Sequence, residues 1–161
     1  MFTGAFAVSY YGAPRTTMDI DVVAKVSKRD SLTKLVSALK MAGLKVDRRR
    51  IDLALRSSFR IATLKDSRTP FTVDIILSST KLEKRAGSIL GLPTFYQTPE
   101  DLILAKLRMI KATVPKERSL KDVDDVRAIL KFSEVQMNVL KRRARENDTL
   151  PILEDLIASR S

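Results

Sequence analysis

Residues 19–26, Asp19-Ile20-Asp21-Val22-Val23-Ala24-Lys25-Val26, set two carboxylates in a largely apolar run. Its Ile and Val content, followed by the break Ser27-Lys28-Arg29-Asp30, spells a β-strand. Side chains alternate along a strand, so Asp19 and Asp21 share a face, with Cα atoms roughly 6.6 Å apart. Two charges in an apolar strand are costly unless something neutralises them. A second β-forming run, Phe71-Thr-Val-Asp74-Ile-Ile-Leu77, carries a third carboxylate. If the two strands are neighbours, three carboxylates converge. With no histidine and no cysteine in the chain, such an oxygen-only set suits magnesium rather than zinc. A lone Asp-x-Asp pair also suits a solvated strand face or a strand end, and the residues by themselves leave both readings open.

Upstream, Ala5–Tyr11 is a short apolar run between Gly4 and Gly12-Ala-Pro14, which predicts a short helix and a turn. Downstream, Leu32, Leu35, Val36 and Leu39 fall at helical spacing, and Gly43 supplies a stop. Lys45–Asp47 opens a short strand, Arg48-Arg49-Arg50 reads as a basic loop or edge, and residues 51–56 fit helix or strand equally. Phe59–Leu64 and Phe71–Leu77 predict a hairpin across the turn Lys65–Pro70.

From Thr98 the pattern turns helical. Thr98-Pro-Glu-Asp101 sets a cap, a proline at the first helical position and acids in the first turn of a helix running to about Ala112. Ser119-Leu-Lys-Asp122 and Ser133-Glu-Val-Gln136 each match a capping box, and Asp148-Thr149 precedes a last helix ending near Ala158. The expectation is an α+β protein: a small mixed β-sheet core over residues 1–97, and a C-terminal helical segment, residues 98–161, packed on it as one compact domain.

Missing residue types exclude whole chemistries. Without cysteine there are no disulfides, thiolate metal sites or cysteine nucleophiles, and without histidine there is no Ser-His-Asp catalysis. No apolar run reaches the roughly 18 residues that a membrane span needs. The opening Met1-Phe2-Thr3-Gly4 lacks the plan of a secretory signal, so the expected location is cytoplasmic with no membrane partner. The formal charge of +11 is uneven: residues 1–98 hold 17 Lys and Arg against 8 Asp and Glu, and residues 99–161 hold 13 against 11. A surplus in the front part suits polyanions such as nucleotides or RNA, and equally a solubilising surface.

Two features beside the carboxylates point to phosphate. Gly4-Ala5 opens a helix, where a glycine lets a phosphate approach free backbone N–H groups. Arg15 and Thr17 precede Asp19 in the pattern Arg-x-Thr-x-Asp-x-Asp, and an arginine there can grip a phosphate bidentately, or simply lie in a surface turn. The whole stretch from Gly4 to Val23 resembles the signature of the DNA polymerase β-like nucleotidyltransferase superfamily. That signature is a small-residue pair, a short helix, Asp-hydrophobic-Asp on a strand and a later Asp on another strand. More narrowly, Pro14-Arg-Thr-Thr-Met-Asp-Ile-Asp21, Thr98-Pro-Glu-Asp-Leu-Ile-Leu-Ala-Lys106 and Lys121-Asp122-Val-Asp-Asp125 are similar to the small prokaryotic branch of AbiEii-like toxins and minimal nucleotidyltransferases of toxin–antitoxin pairs. The resemblance covers roughly residues 2–132.

It implies that Asp19 and Asp21 hold two Mg2+ ions, and that Asp74 helps to bind one and activates the attacking hydroxyl. It further implies that Gly4 and Ala5 cradle the triphosphate of an NTP such as ATP, with Lys106 a phosphate contact. Lys121 suits a phosphate contact or a solvated surface position equally, and Asp122 also suits a helix cap. The implied activity moves a nucleoside monophosphate from the NTP to an RNA end or a protein hydroxyl, in a toxin–antitoxin setting with a cognate partner protein. The alternative is the same fold with impaired chemistry acting as a binding module, an antitoxin or partner, or a nucleic-acid-binding protein. Two departures bear on this. Ala5 stands where Gly or Ser is usual, and the strand that normally precedes the glycine pair is expected to be absent or to lie outside the sequence. Aromatic residues are 6% of the chain and not interleaved with its Lys and Arg clusters, which argues against base stacking.

Overall fold

The computed structural model describes residues 1–12 and 14–159. It is an α+β fold that divides into two compact units, Met1–Phe6 with Thr16–Tyr96, and Ala7–Arg15 with Gln97–Ser161. The helix α1 (Gly4–Tyr11) begins in the first unit, and its residues from Ala7 onward belong to the second.

The first unit is built on a four-stranded sheet of β1 (Asp19–Lys25), β2 (Leu44–Lys45), β3 (Ile61–Asp66) and β4 (Thr72–Ser78), in the order β1-β4-β3-β2. β1 and β4 run parallel, and β3 is antiparallel to both β4 and β2. The β3–β4 hairpin expected from the sequence is present, with both strands starting one or two residues later than read. Asp66 holds its turn by accepting from the Thr69 hydroxyl (2.6 Å) and the Ser67 N–H (2.8 Å). The Thr69 bond, foremost among several, holds the Asp66 carboxyl below the usual carboxylate range.

One face of this sheet is the core. Ala62, Leu64, Val73, Ile75 and Leu77 pack against Leu32, Val36 and Leu39 of α2 (Arg29–Met41) and Ile51 and Ala54 of α3 (Arg48–Arg56). The triple arginine read as a loop or edge is thus the first turn of α3. Asp47 caps it by accepting from the Arg49 N–H at 2.9 Å, and burial of Ile51 and Ala54 outweighs the misplaced positive charge. The edge of β1 away from β4 is occupied. Phe2 bridges Val22 on that side, the Thr3 N–H donates to the Asp21 carbonyl at 3.0 Å, and the Val23 N–H donates to the Met1 carbonyl at 2.8 Å. Residues 1–3 therefore supply the sheet edge that the sequence reading expected to be missing.

A second ribbon, β5 (Lys84–Ile89) and β6 (Leu92–Gln97), was not read from the sequence. Its turn, Leu90-Gly91, has φ of 49° and 79°, the twin left-handed residues of a tight hairpin.

The second unit packs α4 (Pro99–Ala112), α5 (Leu120–Phe132), α6 (Met137–Glu146) and α7 (Leu150–Ala158) around Leu102, Ile103, Leu107, Val126, Ile129, Leu140 and Leu153, all at most 1% exposed. α4 starts as expected, with Thr98 accepting from the Asp101 N–H and Pro99 at the first helical position. The two expected capping boxes do not form. The Ser119 hydroxyl donates back to the Lys116 carbonyl and Asp122 turns to Lys106 instead. Ser133 ends α5 rather than starting α6, and its hydroxyl donates to the Tyr11 carbonyl at 2.6 Å. Asp122 and Ser133 thus bond to partners distant in sequence, Lys106 and Tyr11, while Ser119 turns back to its own preceding turn.

Candidate active site

The β1–β4–β3 register arranges the sheet face turned away from α2 and α3 as a grid. Paired residues share a face, so Lys65, Thr72 and Asp19 form one row, Thr63, Asp74 and Asp21 the next, and Ile61, Ile76 and Val23 the third. Asp21 and Asp74 are direct partners on adjacent parallel strands, roughly 4.8 Å apart by strand spacing, with Asp19 two residues along. The alternation that buries Val73, Ile75 and Leu77 on one side thus turns all three aspartates to the other.

Hydroxyls on neighbouring strands hold two of them. Thr63 Oγ1 donates to Asp74 Oδ1 at 2.6 Å, and Thr72 Oγ1 donates to Asp19 Oδ1. Nothing in the sequence singles out Thr63 and Thr72, because each becomes relevant only through the strand register. Thr17 acts on backbone. Its hydroxyl accepts from the Asp19 N–H at 3.1 Å and donates to the Asp19 carbonyl at 3.0 Å, which fixes the entry into β1.

Gly4 sits against Asp21. At φ +55° it adopts a conformation that side chains rarely take, and a Cβ there would lie 1.9 Å from Asp21 Oδ2 and 2.6 Å from Asp21 Cγ. The start of α1 therefore rests directly on the middle carboxylate, and Ala5, 2% exposed, follows it. Gly4→Ala is expected to cost ~1–2 kcal/mol from the left-handed backbone alone and to push the Asp21 carboxylate aside. Chemical denaturation reads the first effect. A loss below a few tenths of a kcal/mol would show that the helix start simply relaxes.

Three oxygen-donor side chains on one face, beside a cradle that a Cβ would fill, fit a hard cation in chemistry and strand position. As the side chains stand, no group of three or more Asp or Glu among the described residues is set to hold one metal ion. Asp19 and Asp74 each accept a threonine hydroxyl at Oδ1 only, so a shared ion requires the carboxylates to turn toward one another without giving up those bonds.

The other sequence-read residues belong to the second unit. Lys106 Nζ lies 2.7 Å from Asp122 Oδ1 and 2.7 Å from Asp125 Oδ2, and Arg15 Nε lies 3.6 Å from Asp125 Oδ1. The interaction with Asp122 is also a hydrogen bond, whereas the one with Asp125 Oδ2 is an ion pair outside hydrogen-bond geometry. Asp122 and Asp125 are three apart on α5 and share a face, which lets one ammonium bridge them. Asp125 is 4% exposed, and its burial was not read from the sequence although it ends the Lys121-Asp-Val-Asp-Asp motif. Lys121 is exposed in the first turn of α5.

Comparison with protein-family models finds none that matches the chain, and comparison with curated proteins finds no match either. No helix among the described residues is long and apolar enough to cross a membrane.

Proposed function

We propose that the chain is a magnesium-dependent nucleotidyltransferase that moves a nucleoside monophosphate from an NTP to an RNA end or a protein hydroxyl. The observation that carries the reading is the Asp21–Asp74 pairing on parallel strands, with Asp19 on the same face and the glycine start of α1 seated on Asp21. In this reading Asp19 and Asp21 hold two Mg2+ ions and Asp74 assists with one. When bound, such ions neutralise charge on the entering and leaving oxygens.

The protein's own groups do the rest. Backbone N–H groups at the start of α1, at Gly4 and Ala5, offer donors to the triphosphate. Thr63 occupies Asp74 Oδ1, which leaves Oδ2 to take the proton of the acceptor hydroxyl. The acceptor oxygen bonds to the α-phosphorus, the bond from that phosphorus to the bridging oxygen breaks, and pyrophosphate departs with the electron pair. Within this reading the cytoplasm is the compartment, and a toxin–antitoxin pair, with a cognate partner protein, is the setting. The family resemblance implies a phosphate contact for Lys106, which would have to leave Asp122 and Asp125 to make it.

A second reading, a nucleotidyltransferase-fold binding module without turnover, draws on the threonine hydroxyls that already hold Asp19 and Asp74. Thermal melting separates the two. Millimolar NTP with Mg2+ is expected to stabilise the protein by ~1–3 kcal/mol through mass action, a rise of about 2–4 °C per kcal/mol for a chain of this size. No shift with any of the four NTPs would favour the binding module.

A further inference from the structure

The first unit also carries a surface pocket of about 400 Å3 where β1 hands over to α2, and no step of the proposed transfer uses it. Its cations come from two elements: Lys28 and Arg29 at the start of α2, and Arg48 and Arg56 on α3. Arg48, Asp52 and Arg56 are spaced four apart, so one face of α3 presents both arginines to the same hollow. Leu32 and Leu55 supply an apolar wall.

Four cations line this pocket against the single carboxylate of Asp52. Among the described residues none of the four is in an ion pair, although Lys34, Arg50, Lys81 and Arg127 each find a carboxylate close by. Lys28 and Arg29 also stand where the helix dipole is already positive, and Lys28 gives no side-chain cap. Like charges gathered on a concave surface, without partners, destabilise the free protein and favour an anion. Arginine forks with an apolar wall behind them suit the tetrahedral, multiply accepting phosphate group.

We propose that this pocket is a phosphate-recognising site, taking the phosphate of a free phosphorylated molecule or of a nucleic-acid backbone. It is separate from the aspartates. Val26 and the residues before it at alternate positions pack on the α2–α3 side, whereas Asp19 and Asp21 point to the opposite face. Val26 also lies seven residues beyond Asp19, roughly 23 Å along an extended strand. The pocket's role holds whether or not the aspartates carry out transfer.

The test is binding of inorganic pyrophosphate and of a ten-nucleotide single-stranded RNA, measured in EDTA so that metal-dependent binding at the aspartates contributes nothing. Wild type is compared with Arg48→Gln/Arg56→Gln, and with Lys141→Gln/Arg142→Gln, exposed cations of the second unit, as a charge-matched control. The α3 pair is expected to weaken binding at least tenfold and to flatten the salt dependence by about one for each phosphate left without its cation. The control is expected to stay within twofold of wild type, and Lys28→Gln/Arg29→Gln should repeat the loss should the α3 pair fold poorly. Tight pyrophosphate binding identifies the free-phosphate source, and tight RNA binding with weak pyrophosphate binding identifies the backbone source. Binding of neither probe by wild type, or equal loss in the control, overturns the proposal.

Discussion

Asp19→Asn is expected to lower nucleotide transfer by about 10²–10³-fold, the size of effect that follows removal of one preorganised electrostatic group. The substitution removes a charge and keeps the shape. Asp19 is exposed at the start of β1, and an Asn oxygen can still accept from Thr72, so the strand pairing survives. The melting temperature is therefore expected to change little while the initial rate of label incorporation collapses. Full retention of transfer would remove Asp19 from the catalytic set. Asp74→Asn is expected to fall as far, because under the proposed mechanism it removes the proton acceptor and one ligand charge together.

Lys106→Met has the largest expected effect on stability, ~3–5 kcal/mol, because it leaves two carboxylates with little solvent to replace the ammonium. The side chains of Asp122 and Asp125 are 19% and 5% exposed, and Lys106 itself is 13% exposed. Arg15, at 3.6 Å from Asp125, compensates only in part. Urea unfolding measures the change. Adding Asp122→Asn and Asp125→Asn to the same chain should recover most of it, since neutral amides need no counter-charge. A change below 1 kcal/mol in the single variant would show that water reaches the cluster and screens it. The same measurement bears on the sequence-based assignment of Lys106 to a phosphate, because a lysine that bridges two carboxylates must leave them to serve as one.

What was legible in the sequence follows from which interactions are periodic. Asp19, Asp21 and Asp74 stand out because period-two alternation places a charge among Ile and Val, and the same alternation sets the register that pairs Asp21 with Asp74. Thr98-Pro99 opens α4 as read, since an N-cap is a local bond between residues three apart. Long-range partners were not legible. Thr63 and Thr72 bind the aspartates from across strand pairs, and Ser133 gives its hydroxyl to Tyr11, 122 residues away. The β5–β6 ribbon escaped because its outer strand, Lys84-Arg-Ala-Gly-Ser-Ile89, buries no residue fully and so lacks an apolar period. Arg48–Arg50 misled in the opposite sense, since positive charge at a helix start argues against a helix that the burial of Ile51 nevertheless secures. Gly4 was legible as the start of a helix, but its left-handed backbone against Asp21 required the fold.

Transfer of an α-phosphate label separates a nucleotidyltransferase from a binding module. Each of the four NTPs, labelled at the α-phosphorus, is incubated with the protein, Mg2+ and either total RNA or a protein fraction. Label is expected in one acceptor class with at least one NTP, with release of one pyrophosphate per label and loss of both in EDTA. Label in neither class with any NTP, while the protein remains folded, would contradict the transferase reading.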